Sequence, residues 1–542
     1  MRRDTKKLQH DTFDVLVIGG GIHGAAAARE CASRGLKTAL IEKSDFGNAT
    51  SANSMKIIHG GLRYLQHLNI KRMRESIVSR RMMLKLAPHN VKPLGCVIGN
   101  SGYGLQSNLV MRIGLMLNDC IAFDRNKGVD GQSRIPRGTI LPLTRCKELF
   151  PSLDWTGMTG ASLWYDAIAL NSDRLVLAFV KGAVGHGAQV ANYVAMDELL
   201  VENGQVAGCR ATDLLTGDML TISARAAVIT GGAWNNALLG TVRATEAPAT
   251  HFAKAVNIIV RKSLTERYAF GLTGEVNYQD KDAVFKKKGR FFFFVPWRGY
   301  TMIGTTYTRY DGSLDQVRAT RRDIEELLAE VNAIYPPAAL TVSDVTNVHA
   351  GLLPLSSLDS DKYGNVQVEK ETMIIGEGDG LKTPAGLLSV KSVKYTTAPV
   401  VAAQTCDRLS RLLGEKTKKP VIAETQAPAA MQGSPRRSAG FDYLDHRYGA
   451  EAGEVFACVQ KNPEMVSVAP PLCLGEIDYF IEEEMALTVS DVVFRRSELA
   501  TAECPPAEVL QAIADYLGKR LAWSQQKIES EIEEVTSHFI WS

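Results

Sequence analysis

The stretch Phe13-Asp14-Val15-Leu16-Val17-Ile18-Gly19-Gly20-Gly21-Ile22-His23-Gly24, running through the alanine-rich segment Ala25 to Ser33 into Thr38-Ala39-Leu40-Ile41-Glu42, decides the fold. It reads as strand, glycine turn, helix, second strand and terminal acid. Each part has a reason in dinucleotide binding: Gly19 makes the tight turn, Gly21 lets the backbone approach a pyrophosphate, and Gly24 lets the helix lie close on the sheet. The pyrophosphate then meets the unpaired N–H groups of the first helical turn, where the helix dipole favours an anion. Glu42, 23 positions after Gly19, stands where a carboxylate can accept from the ribose hydroxyls of an adenosine. An acid there repels the 2′-phosphate of NADP and leaves NAD and FAD open.

The 542 residues exceed one compact core, so two or three domains are expected. With 45% hydrophobic and 22% charged residues the chain is globular, and a formal charge of +3 does not call for nucleic acid. The nine cysteines are scattered, without a C-x-x-C or a Cys/His cluster, which fits reduced thiols and supports no metal site. Met1 to His10 is polar and no apolar run reaches the length of a spanning helix, so a cytoplasmic protein is expected, with membrane contact at most peripheral, at the inner face.

After Glu42 come Thr50, Ser51 and Ser54, then Lys56-Ile57-Ile58-His59-Gly60-Gly61-Leu62-Arg63-Tyr64-Leu65. The segment Ala49 to Leu65 resembles, nearly residue for residue, the corresponding part of the FAD-dependent glycerol-3-phosphate dehydrogenases of the aerobic, quinone-linked kind. Similar runs recur at Lys85 to His89, Asn171 to Leu177, Val295-Pro296-Trp297 and Ile303 to Thr306, so the likeness spans nearly the whole chain. It implies FAD as cofactor, an alcohol as substrate and quinone or dioxygen as electron acceptor; a homodimer is left open.

The fold so implied is α/β: a Rossmann-like FAD-binding domain of the glutathione-reductase/D-amino-acid-oxidase type interleaved with an antiparallel-sheet substrate domain, plus an all-helical C-terminal domain. The oxidoreductase region covers 12–423, with FAD-binding segments at about 12–70, 165–245 and 345–410 and substrate-sheet segments at about 71–164 and 246–345. Residues 424–439, rich in Pro, Gly, Ser and Ala without periodicity, read as a linker, and 440–542 has helical spacing. Cofactor contacts are expected from Gly19, Gly21, Gly24, Glu42, Thr50, Ser51, Ser54, Lys56, His59, Gly60, Gly61, Leu62, Val194, Gly231, Gly232, Trp234, Lys394, Tyr395 and Thr396.

Two basic patches stand out. Lys71, Arg72, Arg74, Arg80, Arg81 and Lys85 interleave with apolar residues on a helix, which reads as a solvated face or a surface for anionic lipid. Lys286-Lys287-Lys288-Gly289-Arg290 abuts Phe291 to Phe294, which read as a buried strand in preference to a membrane anchor.

The resemblance breaks at the substrate end. The family's histidine in a Lys-Gly-Ser-His run falls on Asn257, which orients a hydroxyl but cannot take its proton. Its phosphate-holding arginine in Gly-Val-Arg-Pro-Leu falls on Leu353, and a second arginine falls on Glu369. The Gly-Gly-Lys-Leu-Thr-Thr-Tyr-Arg run becomes Ser392-Val393-Lys394-Tyr395-Thr396-Thr397-Ala398-Pro399. The expected reaction is hydride transfer from a carbinol carbon to the flavin, with Arg63, Lys394, Asn257 and Thr305 as the catalytic residues, Lys394 near the flavin or the substrate oxygen and Arg63 as a substrate contact. The expected substrate is a secondary alcohol or polyol without the usual phosphate grip. Two alternatives are glycerol 3-phosphate itself, held by arginines such as Arg298 or Arg309, and a degenerate FAD-binding homologue with a structural role.

Overall fold

The computed structural model describes the chain except residues 68, 103, 105, 243–249, 275–289, 359–365, 378, 380–382, 419–440 and 542, and the side chains of 63, 66 and 67. The expected linker and Lys286 to Gly289 therefore lie outside the described residues. The chain forms two compact units, each assembled from separated segments: 1–52, 171–252 and 369–538 in the first, and 53–170, 253–368 and 539–542 in the second.

Strand β1 (Thr12–Ile18), helix α1 (Ile22–Ser33) and strand β2 (Thr38–Ile41) form the opening unit of the first sheet. The chain then enters the second unit with β3 (Ile57–Ile58), α2 (Ile70–Leu86), β4 (Val91–Ser101), α3 (Asn108–Ile121), β5 (Thr139–Pro142) and β6 (Met158–Ala169). It returns to the first with α4 (Ser172–Gly185), β7 (Gln189–Ala191), β8 (Val194–Glu202), β9 (Gln205–Asp213) and β10 (Met219–Ile229). The second unit is completed by β11 (Phe252–Val260), β12 (Tyr268–Thr273), β13 (Phe291–Trp297), β14 (Tyr300–Tyr310), α5 (Arg321–Ile334) and β15 (Val345–Pro354). The first resumes with β16 (Met373–Gly376), β17 (Leu387–Lys391) and α6 (Ala398–Leu413).

The first sheet runs β16-β17-β10-β1-β2-β7, with the β8–β9 hairpin attached through β10. Strand β1 is parallel to both neighbours, Val15 standing opposite Ala226 and Thr38. A parallel sheet is covered on both faces, so its strands are near-continuously apolar, as Val15 to Ile18 and Ala226 to Ile229 are. Helix α1 is buried along its whole length. Its run of alanines lets it pack closely between α4 and α6, where bulkier residues would hold the helices apart.

The second sheet runs β15-β11-β14-β13-β12-β4-β6-β3 and is mixed, since β12 and β4 are parallel. Phe292 and Phe294 are fully buried, and Phe294 stacks on Phe270 with centroids 4.5 Å apart. These rings belong to a core that each stabilises by about 2 to 3 kcal/mol of removed apolar surface. Strands β3 and β15 hydrogen-bond into this sheet, so both belong to the second unit.

Beyond the undescribed stretch, α7 (Tyr443–Tyr448), α8 (Ala452–Lys461), α9 (Leu474–Glu484), α10 (Ala507–Leu521) and α11 (Gln525–Ser537) make a helical domain within the first unit. It also carries a short antiparallel ribbon, Met465–Val468 against Pro471–Cys473, and a π-helical turn, Asp491–Arg496. The cis Ala469-Pro470 bond sits in the ribbon's turn.

Candidate functional site

In the first unit the glycine turn fits as its spacing demands. A Cβ on Gly24 would lie 1.8 Å from the Gly19 carbonyl oxygen, and one on Gly19, whose φ is +106°, would meet the Thr230 backbone at 2.8 Å. Thr230 Oγ1 donates to the carbonyls of Ile18 and Gly19, tying the turn to the end of β10. Gly21 caps α1 without a side-chain hydrogen bond of its own, and Ser51 Oγ accepts the Ile22 N–H at 3.0 Å. Glu42 accepts from the N–H groups of Gly20 (2.5 Å) and Ser44 (2.9 Å). Burial raises its carboxyl above the usual range, and these two donors act against that rise.

His23, one residue inside α1, borders the glycine turn, a placement that the glycine spacing hides. Its Nε2 donates to the Lys394 carbonyl at 3.0 Å, which also accepts from Thr397 Oγ1. Its buried Nδ1 has no partner among the described residues. Burial pushes the imidazole down to about 4, so it is neutral at pH 7. The Lys394 to Thr397 turn is thereby fastened to the start of α1, and Tyr395 donates its hydroxyl to the Ser172 carbonyl. Val194 is buried and donates its N–H to the Glu42 carbonyl. Lys43 Nζ lies 4.1 Å from the ring centre of Trp234, which follows Gly231 and Gly232 at the end of β10. Thr50 is half-buried.

The second unit gathers a separate set. His59 Nδ1 stands 3.1 Å from Asp166 Oδ2, while Asp166 Oδ1 accepts from the Gly60 N–H (2.6 Å) and Arg80 Nη1 (3.1 Å). Burial raises the Asp166 carboxyl, but the hydrogen bond from His59 and the charges of His59 and Arg80 outweigh it, leaving it below the usual range. A Cβ on Gly60 would fall 2.2 Å from the Arg80 guanidinium, so a side chain there would displace Arg80 from its place. Gly61, at φ +86°, turns the chain against Met73 into the turn that starts at Leu62. The side chain of Arg63 lies outside the described residues. Lys56 is buried with its Nζ 5.6 Å from the Trp297 ring, and Ser54 Oγ accepts its N–H. Thr305 Oγ1 donates to Asn257 Oδ1 at 2.5 Å, and Gly304 leaves the space that the amide occupies. His349 Nδ1 lies 3.1 Å from the Ser54 carbonyl, a link that sequence distance conceals.

The Gly24 cradle, the helix start at Gly21 and the acid at the end of β2 together make the arrangement that suits an adenine dinucleotide. Residues 14–408 match the model of the family described as FAD dependent oxidoreductase, and 410–528 match that of the C-terminal domain of alpha-glycerophosphate oxidase. The chain belongs to the FAD dependent oxidoreductase family. This FAD-dependent oxidoreductase is 29% identical to a glycerol-3-phosphate dehydrogenase of Synechocystis, over 98% of this chain and 97% of that one. It is 27% identical to the aerobic glycerol-3-phosphate dehydrogenase of Bacillus subtilis, over 97% and 94%. Its fold is similar to the crystal structure of the glycerol-3-phosphate dehydrogenase from Bacillus halodurans complexed with FAD, at a TM-score of 0.74 and 22% identity, covering 99% of this chain and 96% of that one.

Other side chains singled out in the sequence have the following surroundings. The basic face of α2 is largely committed internally: Arg74 and Arg81 both bind Asp124, and Arg80 is buried on Asp166. Glu369 lies in the first unit with its carboxylate 3.8 Å from Lys391 Nζ. Leu353 is half-buried on β15, where only it and Thr346 keep partial exposure. Arg309 is bound twice by Asp311, and Arg298 lies over the Trp297 ring.

Proposed function

We propose that the protein oxidises a secondary alcohol to a ketone, its substrate a polyol or related alcohol lacking the phosphate of glycerol 3-phosphate. FAD, when bound, supplies the acceptor for the hydride that leaves the carbinol carbon. The hydroxyl proton goes to His59, which Asp166 orients by accepting from Nδ1, leaving Nε2 as the basic atom of the ring. Asn257, its oxygen held by Thr305, turns its amide donors toward the substrate oxygen. Lys394 and Arg63 are proposed to position the flavin and the substrate. The observation that carries the substrate class is Leu353, a half-exposed aliphatic side chain where the resembling family places the guanidinium that grips phosphate.

Glycerol 3-phosphate itself is the second reading, favoured by the full-length likeness to proteins named for it. Arg309, one of its two suggested phosphate ligands, is paired with Asp311 at the surface, which counts against that role. Anaerobic addition of glycerol, other polyols and glycerol 3-phosphate to the purified holoprotein separates the readings. Bleaching of the flavin by an unphosphorylated alcohol at lower concentration than by glycerol 3-phosphate supports the first reading, and the reverse order sinks it.

We further propose that the electron acceptor is reached at a membrane surface through α3. Among the described residues no helix is long and apolar enough to cross a membrane. Yet Leu109, Ile113, Met116 and Leu117 all point from α3 into solvent, with Ile70 and Phe123 also exposed and Lys71 and Arg112 available for anionic headgroups. Flotation with phosphatidylglycerol vesicles tests this. Ile113→Glu with Met116→Glu should abolish it, and undiminished flotation would refute the assignment.

A further inference from the structure

The helical C-terminal domain meets the nucleotide-binding segments through a buried ionic cluster that the chemistry above does not use. Asp45 is fully buried three residues after Glu42, and four donors converge on it. Asn192 Nδ2 (3.0 Å) and Arg496 Nη2 (2.8 Å) bind Oδ1; Arg495 Nε (2.7 Å) and Arg496 Nη1 (2.6 Å) bind Oδ2. Burial raises the carboxyl, but the charge and hydrogen bonds of Arg496, with Arg495 and Asn192, bring it to about 2, so it stays ionised. Both arginines belong to the π-helical turn Asp491–Arg496 and are themselves anchored there, Arg495 on Asp491 and Arg496 on the Glu484 carbonyl.

The cluster holds one short loop from several sides. Arg495 Nη1 donates to Asn48 Oδ1, Asn48 Nδ2 donates to Ser44 Oγ, and the Ser44 N–H donates to Glu42 Oε1. Tyr193 donates its N–H to the Ser44 carbonyl and its hydroxyl to Asp491. Between Asp45 and Asn48, Phe46 packs over Gly20, and the Gly47 N–H donates to the Gly20 carbonyl. The loop from Glu42 to Asn48 thus touches the glycine turn on one side and the arginine pair on the other.

We propose that Asp45, Arg495 and Arg496 are positioning residues through which the C-terminal domain sets the shape of the adenosine-binding loop and so tunes FAD affinity. Released from the arginines, the loop gains conformations in which Glu42 and the Gly20 backbone no longer present the arrangement the ribose and pyrophosphate require. Linkage then demands the reverse effect: FAD must stabilise the turn at Asp491–Arg496. The inference uses only the cofactor and is independent of the substrate proposed above.

Two measurements on the full-length chain test it. Flavin-fluorescence titration of the FAD-stripped protein should give a Kd about tenfold or more higher for Asp45→Asn than for the unaltered protein. Arg447→Met, which breaks the equally buried Arg447–Glu476 pair inside the C-terminal domain, should lower the melting temperature of the stripped protein and leave that Kd within about twofold. In the unaltered protein, amide exchange across 491–496 should slow when FAD is added. Equal FAD affinities for the two variants, or exchange in that turn indifferent to FAD, would overturn the proposal. The exchange experiment decides even if Asp45→Asn does not fold.

Discussion

The turn at Gly19 to Gly24 and the end of β15 at Gly351 to Leu355 represent two ways a site can be specified. At the turn, backbone does the work: a Cβ at Gly24 collides with a carbonyl, and the helix start offers N–H groups whatever side chains follow. At the end of β15 the proposed substrate recognition would depend on one side chain, and Leu353 stands on the strand without interrupting it. Backbone-built sites resist drift because altering them breaks the fold. Side-chain-built sites can be rewritten one residue at a time.

The comparison can be broken or sharpened by substitution. The largest effect is expected from Gly24→Val, which forces atoms into the Gly19 carbonyl at a cost of about 3 kcal/mol or more. Purified variant should carry no FAD, and normal flavin content would break the account of the turn.

His23 is expected to act through pH. Its folded pKa, lowered by burial to about 4, lies below the ordinary 6.5, so between these values the unfolded chain binds a proton that the folded chain refuses. Stability of the FAD-free protein should therefore fall as pH drops from about 6.5 toward 4, by up to about 3 kcal/mol. Urea titrations of His23→Asn across that range should show a flatter dependence, and an unchanged slope would remove His23 as the cause.

A smaller effect belongs to β15. Leu353→Arg should lower KM for glycerol 3-phosphate by about 30-fold, close to 2 kcal/mol, without changing flavin content. A wild-type enzyme that already prefers glycerol 3-phosphate would erase the contrast between the two regions. Arg309→Met, removing an exposed pair with Asp311, should change neither stability nor KM by more than about 0.5 kcal/mol. A large loss of glycerol 3-phosphate turnover in that variant would restore Arg309 as a phosphate ligand.

What the sequence made legible was local. Strand, turn, helix and acid from Phe13 to Glu42 are set by spacing within 30 residues, and the structure places them as read. Phe291 to Phe294 were separable into a strand because alternate rings fill one core. The Asp45 cluster was not legible, since its two arginines lie about 450 residues away and each looks like an ordinary surface charge. Arg80 misled for the same reason: on a helix of mixed charge nothing marks the one arginine that a distant Asp166 draws into the interior. His349 and His23 gave no signal because their partners are carbonyl oxygens, which no residue type announces.

The order of strands around β1 also governs how the molecule must be made. Its neighbours β2 and β10 leave the ribosome far apart in time, and β17, paired to β10, comes later still, near residue 390. At about 5 to 20 residues per second, the emerging β1 waits on the order of tens of seconds before its sheet is whole. Throughout that interval an apolar edge is open to solvent, so the nascent chain is exposed to aggregation long before it can hold a flavin.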